Sequence, residues 1–194
     1  VGDGLAPVVE STLVTDVSAP TALTDLSWIR PGRASWGWWK DDDASKKEEV
    51  LDRFVDLAAT MTWEYSLIDA NWHQLPEGAL ERVIEHAKEQ HVGIILWYNS
   101  GGPHNNITEW GPRDRLSDPE KRRAEFARIA ALGVKGVKVD FWHSDKQNLI
   151  GLYYDMMKDA AEAHLLIDFH GSTIPRGWSR TFPNLVSMEA VFGA

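Results

Sequence analysis

The chain has 194 residues, 43% of them hydrophobic, with a formal net charge of −9, no cysteine and ten tryptophans. That apolar content supports a packed core and excludes a disordered chain, and the length suits one domain or part of a larger one. The acidic balance argues against a nucleic-acid partner and favours a neutral or cationic ligand. The lack of cysteine excludes disulfides and thiolate metal sites.

No apolar run approaches the roughly 20 residues needed to span a bilayer. The chain opens on Val1 rather than methionine, which reads as a mature or excised segment, so the lack of a signal peptide leaves export open. Residues 1–27 carry Gly2, Gly4, Pro7 and Pro20 among short apolar pieces and read as a linker or edge segment. A turn at Ser27-Trp28-Ile29-Arg30-Pro31-Gly32 leads to a first strand over 34–39. Its alternating tryptophans are either core packing or a platform for a sugar ring. Ser45 is placed to cap a helix over 46–61, with Val50, Leu51, Phe54, Leu57 and Ala58 on one stripe.

The second strand, 65–69, ends on Asp69 and is followed by Ala70-Asn71-Trp72. Pro76 opens a helix to about Gln90 that turns Leu80, Val83, Ile84 and Ala87 inward. A third strand over 92–98, almost wholly apolar as a doubly covered parallel strand should be, leads to Asn99. The long loop 101–116 follows, of a kind that is usually functional or mobile. Ser117 and Glu120 match a capping box, with Pro119 in the first turn of a helix that stops at Gly133. Val137 and Val139 then alternate with Lys138 in a fourth strand that ends on Asp140. A helix over 145–163, a fifth strand over 165–169 ending on His170, a loop over 172–184, and a sixth strand over 185–189 ending on Glu189 complete the chain.

Polar groups thus recur at strand ends: Asp69, Asn99, Asp140, His170 and Glu189. A (β/α)8 barrel collects its active site from the C-terminal ends of its strands, as does a doubly wound sheet at its switch point. No glycine-rich phosphate loop follows the first strand, which favours the barrel, here truncated after about the sixth of eight strands. Two carboxylates across an aromatic-walled cleft point to glycoside cleavage. Asp140 is either a strand-end or helix-capping carboxylate or a nucleophile. Lys138, two residues earlier on the same face, is either a surface lysine or an inward cation that keeps Asp140 ionised and bonds a sugar hydroxyl. Asp69, Trp72 and Asn99 are candidate substrate contacts. The spacing of His73, His143 and Asp145 matches no compact metal motif.

Four stretches carry a resemblance. They are Val137-Lys138-Val139-Asp140-Phe141, the run from Ile167-Asp168-Phe169-His170-Gly171 through Pro175-Arg176-Gly177-Trp178, Arg180-Thr181-Phe182-Pro183-Asn184, and Ser187-Met188-Glu189-Ala190-Val191-Phe192-Gly193-Ala194. Together with Trp36-Gly37-Trp38-Trp39 they closely resemble the catalytic barrel of glycoside hydrolase family 97. The resemblance implies hydrolysis of α-galactosides or α-glucosides with a calcium ion in the site. It makes Asp140 the nucleophile of the retaining branch, which is α-galactosidase-like. The inverting branch carries a glutamate where this chain has Gly171. It makes Glu189 a calcium ligand, and His170 and Lys138 substrate-contacting residues. It places the general acid on a glutamate just after Ala194, so the expectation is that residues 1–194 alone are inactive. It also implies a β-sandwich before residue 28 and a periplasmic or extracellular place of action. The oligomeric state stays open, and a carbohydrate-binding barrel without catalysis is the non-enzymatic alternative.

Overall fold

The computed structural model describes residues 2–191; the Phe192-Gly193-Ala194 end of the matched motif lies outside them. Six parallel strands form one sheet in sequence order: β1 (Ala34–Trp36), β2 (Tyr65–Ile68), β3 (Gly93–Asn99), β4 (Gly136–Asp140), β5 (Leu166–Phe169) and β6 (Leu185–Met188). Two short helices, α1 (Leu5–Val9) and α2 (Leu13–Asp16), precede the sheet. Between successive strands run α3 (Glu48–Thr60), α4 (Ala79–Glu89), α5 (Pro119–Leu132) and α6 (Gln147–Glu162), and a single 3-10 turn at Trp178–Arg180 serves between β5 and β6. The sheet curls into part of a (β/α)8-type barrel, as the strand-helix alternation predicts.

Alternation sorts each strand between two environments. On β4, Val137 and Val139 are buried against the helical layer, while Lys138 and Asp140 face the barrel lumen. The core between sheet and helices takes Ile68, Leu96, Ile167 and Phe169 from the strands and Val83, Phe126, Ile129 and Met157 from the helices. Arg122 on α5 is buried with them. Its Nε donates to Asp159 Oδ2 of α6 at 2.6 Å and its guanidinium also donates to the Leu116 carbonyl at 2.9 Å, so the charge is satisfied.

Several local expectations shift. The first strand ends at Trp36 because Lys40 and Asp41 both donate back to the Gly37 carbonyl, which turns the chain and leaves Trp39 exposed. Ser45 is buried in a 3-10 turn and caps nothing; α3 starts from Lys47 with no side-chain cap. Val55 replaces Leu57 on the buried face of α3, since Leu57 falls on the solvent side of a helix whose contact line runs through Leu51, Val55 and Ala58. The cap of α5 is Asp118 rather than Ser117: its carboxylate accepts from the Glu120 and Lys121 amides at 3.0 and 2.9 Å. Gly133 closes that helix in the left-handed conformation (φ 100°) that a terminating glycine supplies. α4 begins at Ala79 after a turn through Pro76, with the four predicted apolar residues buried.

The segment before β1 is tied to the far side of the sheet. Arg180 donates to the Asp16 carbonyl at 2.9 Å, the Thr181 hydroxyl donates to the Ala19 carbonyl, and Trp28 stacks on His164 with ring centroids 4.9 Å apart.

Candidate active site

The C-terminal strand ends open into a cleft of about 600 Å³ walled by Trp36, Trp38, Trp39, Trp97, Trp110 and Phe141. Asp69, Lys138, Asp140, His143, His170, Ser172 and Glu189 supply its polar groups. Five of the residues singled out from sequence therefore meet in one place: Asp69, Lys138, Asp140, His170 and Glu189.

Asp140 sits where β4 ends. Oδ1 accepts from the Phe141 amide at 2.7 Å, and Oδ2 accepts from the Trp97 indole at 3.2 Å. The chain then turns sharply, with Phe141 and His143 both at positive φ (64° and 49°), a conformation uncommon for such side chains and found where a fold over-determines a site. What over-determines it is Trp142, fully buried, whose indole donates to the Val139 carbonyl at 3.1 Å and whose ring stacks on Tyr153 at 3.6 Å. Gly171 (φ 53°) closes against the carboxylate: a Cβ there would lie 3.0 Å from Asp140 Oδ1. Burial pushes the Asp140 carboxyl above its ordinary range, against the opposing pull of the Lys138 charge and the Phe141 amide.

Lys138 is buried and inward, not a surface lysine. Its Nζ donates to Asp69 Oδ2 at 3.0 Å and lies 4.3 Å over the Trp36 ring. Asp69 also accepts from the Trp36 indole at 2.7 Å and from the Ala70 amide at 2.7 Å. Lys138 does favour the ionised form of Asp140, as expected, but from a distance: its ion pair is to Asp69, and burial outweighs its pull on Asp140.

His170 lies between two carboxylates, Nε2 3.4 Å from Asp168 Oδ2 and Nδ1 3.1 Å from Glu189 Oε2. Burial lowers its basicity, but the flanking carboxylates outweigh that and raise it above the ordinary imidazole value.

Trp72 and Asn99 are not brought to the cleft. Trp72 is buried behind β3, its indole donating to the Trp97 carbonyl at 2.7 Å and its ring covered by Arg115. Asn99 is fully buried and spends its amide on loop 101–116: Nδ2 donates to the Ile107 and Trp110 carbonyls, and Oδ1 accepts from the Gly101 amide and Asn105 Nδ2, all at 2.9–3.1 Å. That clamp holds Trp110 edge-on to Trp38 at 4.9 Å on the cleft wall. His73 lines a different cavity from His143. Sequence reasoning passed over Trp97 and Asp168. Each stands two residues before a polar strand-end residue, Asn99 and His170, and this period-two signal marks the lumen face.

A model of the family described as Glycoside hydrolase 97 matches residues 28–191. Among curated proteins, a probable retaining alpha-galactosidase of Streptomyces bingchenggensis is 34% identical over the whole chain, which spans 30% of that relative. A retaining alpha-galactosidase of Bacteroides thetaiotaomicron is 30% identical over 91% of the chain, or 27% of that relative. Among solved structures, a beta-arabinopyranosidase is 39% identical with a TM-score of 0.86, covering 94% of this chain and 29% of its own. The chain thus spans about three tenths of the length of each of these relatives. With the family model covering all six strands and every polar group of the cleft, the chain belongs to glycoside hydrolase family 97.

Proposed function

We propose that the cleft is part of the active site of a retaining glycosidase that removes terminal α-galactosyl residues, with Asp140 as nucleophile. The observation that carries this reading is the fixed Asp140 carboxylate, held by the Trp97 indole and the Phe141 amide, with Gly171 leaving it room. An Asp140 oxygen bonds to the anomeric carbon as the bond from that carbon to the leaving oxygen breaks. The leaving oxygen takes a proton from a general acid, expected to be the glutamate next after Ala194. Water then attacks the anomeric carbon, loses its proton to the same residue, and frees Asp140 with the configuration restored. The tryptophan walls suit the apolar face of a sugar ring, and the Asp69–Lys138 pair offers an acceptor and a donor to its hydroxyls.

A calcium ion belongs to this reading. Glu189 offers a hard carboxylate at the cleft wall, with a side chain 43% exposed, which fits one ligand position of such an ion. When bound, the ion would supply positive charge beside the sugar and the reacting oxygens. Among the described residues Glu189 stands in no group of three or more acidic or histidine ligands, so further ligands would come from other parts of the complete protein. A periplasmic or extracellular place of action goes with the same reading, and activity in fractionated cells tests it.

A second reading is favoured by the 39% identity to a beta-arabinopyranosidase. β-L-Arabinopyranose has the ring configuration of α-D-galactopyranose without the C5 hydroxymethyl group, so the same nucleophile and walls serve either sugar. The deciding experiment is proton NMR of the sugar released by the complete protein from an aryl α-galactoside, read before mutarotation. The α-anomer appearing first supports two displacements at Asp140; the β-anomer first removes Asp140 from that role. Cleavage of an aryl β-L-arabinopyranoside alone moves the substrate assignment to the second reading.

A further inference from the structure

Asp168 lies on β5 two residues before His170, so both side chains leave the chain on the lumen side. It does not line the cleft, yet His170 cannot be understood without it. The imidazole has Asp168 Oδ2 at 3.4 Å from Nε2 and Glu189 Oε2 at 3.1 Å from Nδ1. A half-turn of the ring about χ2 would replace both nitrogens by carbons and lose both contacts together.

Asp168 is not committed elsewhere. Its register partner on β4 is Lys138, but that ammonium is paired with Asp69. Among the described residues Asp168 Oδ1 is buried without a hydrogen-bond partner. The sheet also departs from regularity at this point. Ile167 pairs with Leu185, but Asp168 pairs with Ser187, so β6 slips by one residue at Val186. Without that slip Met188 would stand level with His170; with it, Glu189 does. The irregularity therefore brings a carboxylate to one edge of the imidazole while Asp168 holds the other.

We propose that Asp168 is a positioning residue of this site: its carboxylate sets the rotation of the His170 ring and so aims Nδ1 at Glu189 and the cleft. The inference rests on the glycosidase reading of the cleft.

The test is a double-mutant cycle in the complete protein with Asp168→Asn, His170→Ala and the pair, read as kcat and KM on an aryl α-galactoside and an aryl β-L-arabinopyranoside, with a crystal structure of Asp168→Asn. Asp168→Asn is expected to lower kcat about 10- to 100-fold with KM within about threefold, and to cost less than about twofold once His170 is already alanine. The crystal structure is expected to show the imidazole turned or drawn away from Glu189. Asp168→Glu, which keeps the charge, is expected to regain part of the kcat lost in Asp168→Asn. Wild-type kcat in Asp168→Asn, losses that multiply with His170→Ala, or an imidazole that stays in place each overturn the proposal. If Asp168→Asn does not fold, Asp168→Glu carries the cycle, and failure of that variant to fold makes the role structural and overturns the proposal as well. If the wild-type protein cleaves neither glycoside, the functional reading fails, while the ring orientation in Asp168→Asn still decides whether Asp168 positions His170.

Discussion

Lys138 Nζ lies 3.0 Å from Asp69 Oδ2, an ion pair between β4 and the end of β2 that joins residues 69 positions apart, with side chains only 3% and 6% exposed. The pair decides how charge is arranged at the floor of the cleft. The ammonium is partnered before any substrate arrives, and Asp140, two residues further along the same strand face, has direct hydrogen bonds only from the neutral Trp97 indole and Phe141 amide among the described residues, with the Lys138 charge acting from a distance.

Breaking that pair from one side should therefore be severe. Lys138→Met leaves the buried Asp69 carboxylate with only the Trp36 indole and the Ala70 amide, and is expected to destabilise the complete protein by about 3–5 kcal/mol. Adding Asp69→Asn should recover a substantial part of the loss. Urea-unfolding midpoints of the three variants check this; a loss in the double variant equal to the sum of the two single losses would show that the two side chains are not energetically coupled.

Gly171 is the second sensitive position. A methyl group there meets Asp140 Oδ1 at 3.0 Å and the Phe141 amide at 3.3 Å, on a backbone with φ of 53°. Gly171→Ala is expected to cost about 1–2 kcal/mol in stability through the positive φ. Displacing the Asp140 carboxylate should also lower kcat about 10- to 100-fold if it has the proposed role. Thermal unfolding together with steady-state kinetics separates the two effects.

Removal of the Asp140 carboxylate tests its role directly. Asp140→Gly is expected to lower kcat about a thousandfold or more on an aryl α-galactoside. Added azide should then enter the vacated space, attack the anomeric carbon once from the side that Asp140 occupied and give a β-galactosyl azide. Azide without effect, or an α-configured product, would argue that Asp140 does not form the covalent bond.

Acid stability has an identifiable contributor in Glu125 on α5. Burial by itself would raise its pKa, but hydrogen bonds from Arg128, Tyr98 and Arg115 outweigh it and bring the value from 4.5 to about 2. A folded-state value below the unfolded one means stability that is complete above pH 4.5 and is lost as pH falls towards 2, worth about 3 kcal/mol at most. Glu125→Gln should make the fall in stability over this interval shallower by the share that Glu125 contributes, since Glu64 and other lowered carboxylates titrate there as well. An unchanged slope of stability between pH 5 and about 2.5 would contradict the assignment.

Much of this molecule was legible in its sequence because one strand or helix carries its own pattern. The alternation of Val137, Lys138 and Val139 sets β4 and puts Asp140 at its end. The spacing of Leu80, Val83, Ile84 and Ala87 sets the buried face of α4, and Gly133 its neighbour's end at α5. The run of motifs from Val137 onward carries the family. Local periodicity, however, says which face a side chain takes and not which neighbour it finds there. Asn99 and Trp72, at strand ends like Asp140, turn out to hold loop 101–116 and the back of β3, because their hydrogen bonds are to carbonyls from other segments. Lys138 finds Asp69 rather than Asp140 through the packing of β2, β3 and β4 around the lumen. A one-residue slip at Val186 turns Glu189 towards His170, and nothing in the spacing of β6 announces it. These pairings depend on inter-strand register and on the curl of the sheet, which are properties of the assembled barrel wall and of no single stretch of chain.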